Sequence, residues 1–121
     1  MISQFWLYFL GTGIIMRMIV PPLHSRNKTP TCYVRNKTNR DIHHFHFGVL
    51  FAITALLLVL LNGLNKPLLF FGAMGLSLMA DELFIIRDIS SKYFTKKGVF
   101  LSVLGHILIG IVITLVLIWV Y

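Results

Sequence analysis

The sequence predicts an all-α integral membrane protein: a bundle of four transmembrane helices with both termini on the non-cytoplasmic side. Three observations predict it. Of 121 residues, 57% are hydrophobic and 12% charged, and a domain this small has too little interior to hide so much apolar side chain from water. The apolar residues fall into runs of about 20, each long enough at 1.5 Å per residue to cross the roughly 30 Å hydrocarbon core. The Lys and Arg residues collect in the gaps between those runs, nearly all in the first and third gaps.

The first run is Ile2 to Val20, and Pro21-Pro22 is expected to close it because proline brings no N–H to the helical ladder. No Lys or Arg precedes the run and no small-residue cleavage site follows it, so the expectation is a retained helix rather than a signal peptide. A polar linker, 21–41, carries His24, Arg26, Lys28, Arg35, Lys37 and Arg40. Asp41, or Asn39 before it, is a candidate cap for a second helix from Ile42 to Leu61. In the short connection that follows, Gly63 suits the helix C-cap, Asn65 the next N-cap and Pro67 the first turn of the third helix. So tight a turn makes helices two and three antiparallel neighbours. The third run extends from Pro67 to Ile86, ending at Arg87-Asp88. A second basic linker, 89–98, precedes the last run, Val99 to Tyr121. All of it reads as one membrane domain, 1–121.

Orientation follows from charge. The positive-inside rule places linkers 21–41 and 89–98 in the cytoplasm. Trp6, Tyr8, Trp119 and Tyr121 then fall near the outer interface, where amphipathic rings are enriched. The expected location is the plasma membrane. On cytoplasmic loops the sequons at Asn27 and Asn36 would stay unmodified. A net charge of +7 would point to nucleic acid in a soluble protein; here the basic residues serve as topology signals and contacts to anionic headgroups, with no nucleic-acid partner expected. The single cysteine, Cys32, excludes an intrachain disulfide and a multi-cysteine metal site.

The residues that could carry chemistry are the ionisable ones inside or beside the apolar runs. They are His43, His44 and His46 at the start of helix two, Asp81 and Glu82 in helix three, His106 in helix four and Arg17 near the end of helix one. With the predicted topology all lie in the inner leaflet, where a charged side chain without a partner costs a few kcal/mol. At 100° per residue His43 and His46 share a face, about 60° apart, while His44 points elsewhere. Asp81 shares a stripe with Ser77, and His106 with Ser102 and Gly110. Imidazole and carboxylate together suit zinc, manganese or iron. The expectation is therefore a divalent metal held by His43, His46, Asp81 and His106, with Glu82 as general base or further ligand. No organic cofactor is indicated. HExxH is absent, and His-His-x-His matches no specific metal motif.

Blander readings apply to the same residues. His43 and His44 can be interfacial, His106 can bond Ser77 or Asp81 across helices, and the carboxylates can pair with Arg17 or Arg87. Gly11-Gly13, Gly72-Gly75 and Gly105-Gly110 read as helix contacts. In length and helix count the chain resembles the small multidrug-resistance transporters. Those carry their essential carboxylate in the first helix, where this sequence has none, and no residue is carried over.

Three functional classes follow. One is a metal site acting on a lipid or other amphiphile at the inner leaflet. Another is a proton- or cation-coupled transporter or channel, working as a homo-oligomer. The last is an accessory subunit bound to a membrane-protein partner. Polar groups confined to one leaflet favour ligand binding or catalysis over an ion path.

Overall fold

The computed structural model describes residues 1–25, 43–84 and 95–120, the first of these with side chains as far as Val20. The described residues form four helices: α1 (Ile2–Ser25), α2 (His44–Asn62), α3 (Lys66–Glu82) and α4 (Lys96–Val120). Three of them, α1, α2 and α4, contain stretches long and apolar enough to cross a membrane. The described α3 is 17 residues long and is not among them.

The α2–α3 turn forms as its residues dictate. Gly63 takes a left-handed φ of 74° and its N–H bonds Val59 O at 2.8 Å; only glycine adopts that φ without steric cost. Asn65 caps α3, its side chain accepting from Leu68 N–H at 3.0 Å, and Pro67 sits in the first turn.

Other helix ends differ from expectation. α1 runs through Pro21-Pro22 to Ser25. The fixed φ of proline is itself helical, and what it removes is the N–H donor. α2 begins at His44 with His43 as its N-cap, not with Asn39 or Asp41, which lie outside the described residues. The ring of His46, at N3, accepts the His43 backbone N–H at 3.3 Å, the task that Glu or Gln performs in a capping box. α4 begins three residues before Val99, because Thr95 caps it: the threonine hydroxyl accepts Gly98 N–H at 3.1 Å. α3 gives way to a turn at 83–84, and the expected end at Asp88 lies outside the described residues. The basic linkers 26–42 and 85–94, with Arg87, lie outside the described residues.

The helices alternate in direction. Arg17 meets Asp81 and Tyr8 meets Phe70, so α1 and α3 run parallel. Ser77 meets His106 and Ser102 meets Asp81, so α3 and α4 run antiparallel. α3 is the hub, touching all three others and most extensively α2. Close approach depends on small residues, the usual device where apolar surface alone drives no association. A Cβ on Gly48 would lie 2.6 Å from Gly75 O, and one on Gly75 would lie 2.7 Å from Ala52 N. Gly105 packs on the Ala80 carbonyl in the same manner.

Apolar and polar residues are inverted relative to a water-soluble domain. The buried side chains include Asp81, Glu82, Ser77, Ser102, His44 and His106, whereas Leu60, Leu61 and Trp119 are 74%, 80% and 88% exposed. A bilayer solvates such an exterior; water does not. The buried apolar side chains Phe5, Phe9, Leu69, Ala73 and Ala80 form one cluster, in which Phe5, Phe9, Leu69 and Ala73 lie towards the end carrying the N-terminus and Ala80 lies beside Asp81. The polar groups gather at the other end, where α1 and α3 finish and α2 and α4 begin.

Candidate functional site

At that end one carboxylate ties all four helices together. Asp81 on α3 is 1% exposed. Its Oδ1 accepts from Arg17 Nε on α1 at 2.6 Å and from Ser102 Oγ on α4 at 2.5 Å. Its Oδ2 lies 3.1 Å from His44 Nε2 on α2. An ionised carboxylate only accepts, so Nε2 carries the hydrogen. Arg17 also reaches the Asp81 and Gly98 carbonyls, each at 3.4 Å. The guanidinium thus joins the ends of α1 and α3 to the first turn of α4.

Glu82, equally buried, is engaged at both oxygens. Oε1 lies 3.0 Å from His44 Nε2, and Oε2 accepts the backbone N–H of Phe45 at 3.0 Å. That N–H belongs to the first turn of α2 and has no partner within its own helix. Glu82 therefore caps α2 from a neighbouring helix, its charge set against the positive end of the α2 dipole.

A second, smaller unit adjoins the first. His106 Nδ1 lies 2.9 Å from Ser102 O, and a carbonyl oxygen requires a donor, so Nδ1 carries the hydrogen. A neutral ring then leaves Nε2 as an acceptor, and Ser77 Oγ donates to it at 3.0 Å. The ring fits because residue 13 is glycine: a Cβ there would lie 2.5 Å from His106 Nε2. Among the described residues no buried side-chain nitrogen or oxygen lacks a partner.

The residues expected to share a metal are not brought together. His44, expected to point away, is the buried histidine of the triplet, while His46 is exposed and caps its own helix. The reason is the docking face of α2. His44, Gly48 and Ala55 are its buried residues, and the small side chains at 48 and 55 fix which face meets α3. His43 stacks on His46, ring centroids 6.2 Å apart. Asp81 and His106 do turn inward, on the faces expected for them, but His106 bonds Ser77. Among the described residues no group of three or more His, Cys, Asp or Glu is arranged to hold a metal ion. Glu82, expected as a general base, has both oxygens occupied.

Sequence reasoning missed a groove between α1 and α4. Towards the N-terminal end these helices are clasped: Trp6 Nε1 donates to Thr114 Oγ1 at 3.0 Å, and the indole lies against Gly110. Towards the polar end a groove of about 330 Å³ lies between them. Leu10, Ile14 and Met18 form one rim and Val99, Val103 and Ile107 the other, each at least 40% exposed. Trp6, Gly13, Arg17, Ser102 and His106 complete the lining. The polar network thus forms part of the wall of a cleft whose mouth is apolar. No family model, curated protein or solved structure matches this chain.

Proposed function

We propose that the protein is a four-span protein of the plasma membrane that binds an amphiphile of the inner leaflet in the groove between α1 and α4. The observation that carries this reading is the groove itself, with exposed aliphatic rims and Arg17, Ser102 and His106 in its wall. In a bilayer its mouth faces lipid. An acyl chain entering it exchanges one hydrocarbon contact for another, so selectivity has to come from the head that meets the polar groups. Both basic linkers join the bundle at the polar end, and the positive-inside rule would make that end cytoplasmic.

The ion-coupled reading has less support. Beyond the polar network the interior is filled by Phe5, Phe9, Leu69 and Ala73, which offers no polar path towards the opposite end among the described residues. A metal-assisted reaction at Glu82 would require both of its hydrogen bonds to break. The accessory-subunit reading fits the satisfied network but leaves the groove unexplained.

Two experiments test the proposal. For orientation, a cysteine replacing Asn65 in a Cys32→Ser background is expected to react with an impermeant thiol reagent in intact cells, while native Cys32 does not. The opposite labelling pattern would invert the topology. For the groove, Val103→Trp fills the mouth from the α4 rim without touching the hydrogen-bonded network. Native mass spectrometry of the detergent-purified protein is expected to show a retained amphiphile in wild type and about tenfold less in Val103→Trp, a loss of about 1.4 kcal/mol. Leu108→Trp, on an exposed position of α4 outside the groove, is expected to retain it. Equal retention in all three proteins would defeat the reading.

A further inference from the structure

Glu82 is 1% exposed. Among the described residues its side chain has two partners, the backbone N–H of Phe45 at Oε2 and Nε2 of His44 at Oε1. Of these only His44 can carry a full positive charge. A buried carboxylate persists either as the neutral acid or as an anion paired with a cation. One proton therefore has to reside on Glu82 or on His44, beyond the hydrogen that Nε2 already bears.

The hydrogen bonds decide which. Arg17 and Ser102 both donate to Asp81 Oδ1, which keeps Asp81 an ionised acceptor, and its Oδ2 at 3.1 Å requires a hydrogen on His44 Nε2. On a neutral Glu82 the acid hydrogen would sit on Oε1, facing that Nε2 hydrogen across 3.0 Å. The alternative is Oε2, which already receives the Phe45 N–H at 3.0 Å. With Glu82 ionised both of its oxygens accept, and the Nε2 hydrogen is shared between Glu82 Oε1 and Asp81 Oδ2. The extra proton thus belongs to the ring. The start of α2 carries about half a unit of positive charge, which opposes an imidazolium there. Two full negative charges lie within 3.1 Å of the same nitrogen and outweigh it.

We propose that His44, Asp81 and Glu82 form a proton-binding site, in which an imidazolium at the start of α2 is held between two carboxylates of α3. The ligand is a single proton. Holding it closes the α2–α3 joint, because it matches the charge of Glu82, which in turn caps α2 through Phe45. From the other elements, α1 brings Arg17 to Asp81. α4 brings Ser102 to Asp81 and a neutral His106 bonded to Ser77 and Ser102, while its Lys96 and Lys97 are exposed. His43 and His46 of the same turn stack on each other instead. The site stands whether or not the groove is occupied.

The charge on His44 can be read by nitrogen-15 NMR of the full chain in micelles. The imidazole rings of its five histidines are labelled, and the His44 signals are assigned by their loss in His44→Gln. At about pH 7.5 an exposed imidazole is mostly neutral. In wild type His44 is expected to show hydrogens on both ring nitrogens at that pH. In Glu82→Gln, which removes the negative charge and keeps an acceptor, it is expected to revert to a hydrogen on one nitrogen. A neutral His44 in wild type would overturn the proposal, as would an imidazolium unchanged by Glu82→Gln. Should Glu82→Gln not fold, the wild-type spectrum still decides. Melting in micelles gives a second reading. His44→Gln keeps an N–H donor but cannot take the proton, so it is expected to melt below wild type. His44→Gln/Glu82→Gln, with both charges gone, is expected to melt above His44→Gln. A double variant that melts no higher would mean that hydrogen bonds alone join the pair, and the proton site would have to be given up.

Discussion

Asp81→Leu is expected to cost about 3–5 kcal/mol of folding stability, the range for removing one partner of a buried ion pair. The substitution leaves Arg17 and Ser102 without the oxygen they now share and takes one of two carboxylates from His44. Most of the loss is the burial of an unmatched guanidinium and not the pair's own net worth. The double variant Arg17→Met/Asp81→Leu is therefore expected to recover more than half of it, because two apolar side chains of similar volume replace the pair together. The measurement is unfolding in mixed micelles followed by far-ultraviolet circular dichroism, for wild type, both single variants and the double. Additive losses would show that Arg17 and Asp81 are not coupled, and the four-helix tie would have to be abandoned.

A stabilising tie and the proposed binding role of the groove are compatible, because the tie holds the wall of the groove. Arg17 and Ser102 both grip Asp81 and both line the cleft. Strain on the tie would therefore reach the site. The clasp of Trp6 on Thr114 and Gly110 fixes the other end, so the width of the cleft is set at both ends by specific contacts rather than by general packing.

The helical class was legible because burial periodicity and run length are properties of the chain alone. So were the turn at Gly63-Leu64-Asn65 and the inward faces of Ser77-Asp81 and Ser102-His106, since a stripe of small and polar residues in an apolar helix has few other places to go. The inward face of the α2 histidines differed from expectation, His44 being the buried one, for a definite reason. Helical spacing says which residues share a face but not which face docks, and His43, His44 and His46 carry no packing information themselves. The signal lay further along: Gly48 is four residues after His44 and Ala55 seven after that, a small-residue stripe that marks the side approaching α3. Extending it backwards selects His44. The trans cap by Glu82 was not legible, because it joins a side chain to a backbone N–H 37 residues away. The groove was not legible either, since it lies between two helices and leaves no pattern in either one.

Gly48→Leu is expected to destabilise the protein by about 3 kcal/mol, at the upper end of the range for overpacking a tight interface. Two opposing effects act at this position. Replacing a mid-helix glycine by leucine gains up to about 0.8 kcal/mol of helix propensity. Against it, a Cβ on Gly48 would lie 2.6 Å from Gly75 O, 2.9 Å from Met79 N and 2.9 Å from Leu78 Cβ. Two of those atoms are backbone and cannot rotate away, so α2 has to lift off α3 and the steric effect wins. Lifting α2 also draws His44 and the Phe45 N–H away from Glu82, which links the glycine contact to the polar network. Gly48→Leu and Glu82→Gln are accordingly expected to be sub-additive, the double variant losing less than the sum of the two singles. Gly11→Ala serves as the control, because nothing lies within 4 Å of a Cβ there, and propensity alone predicts a small gain of up to about 1 kcal/mol. All four variants can be measured against wild type in the same micellar unfolding assay. Full additivity of Gly48→Leu with Glu82→Gln would show that the α2–α3 glycine contact and the Glu82 cap act independently.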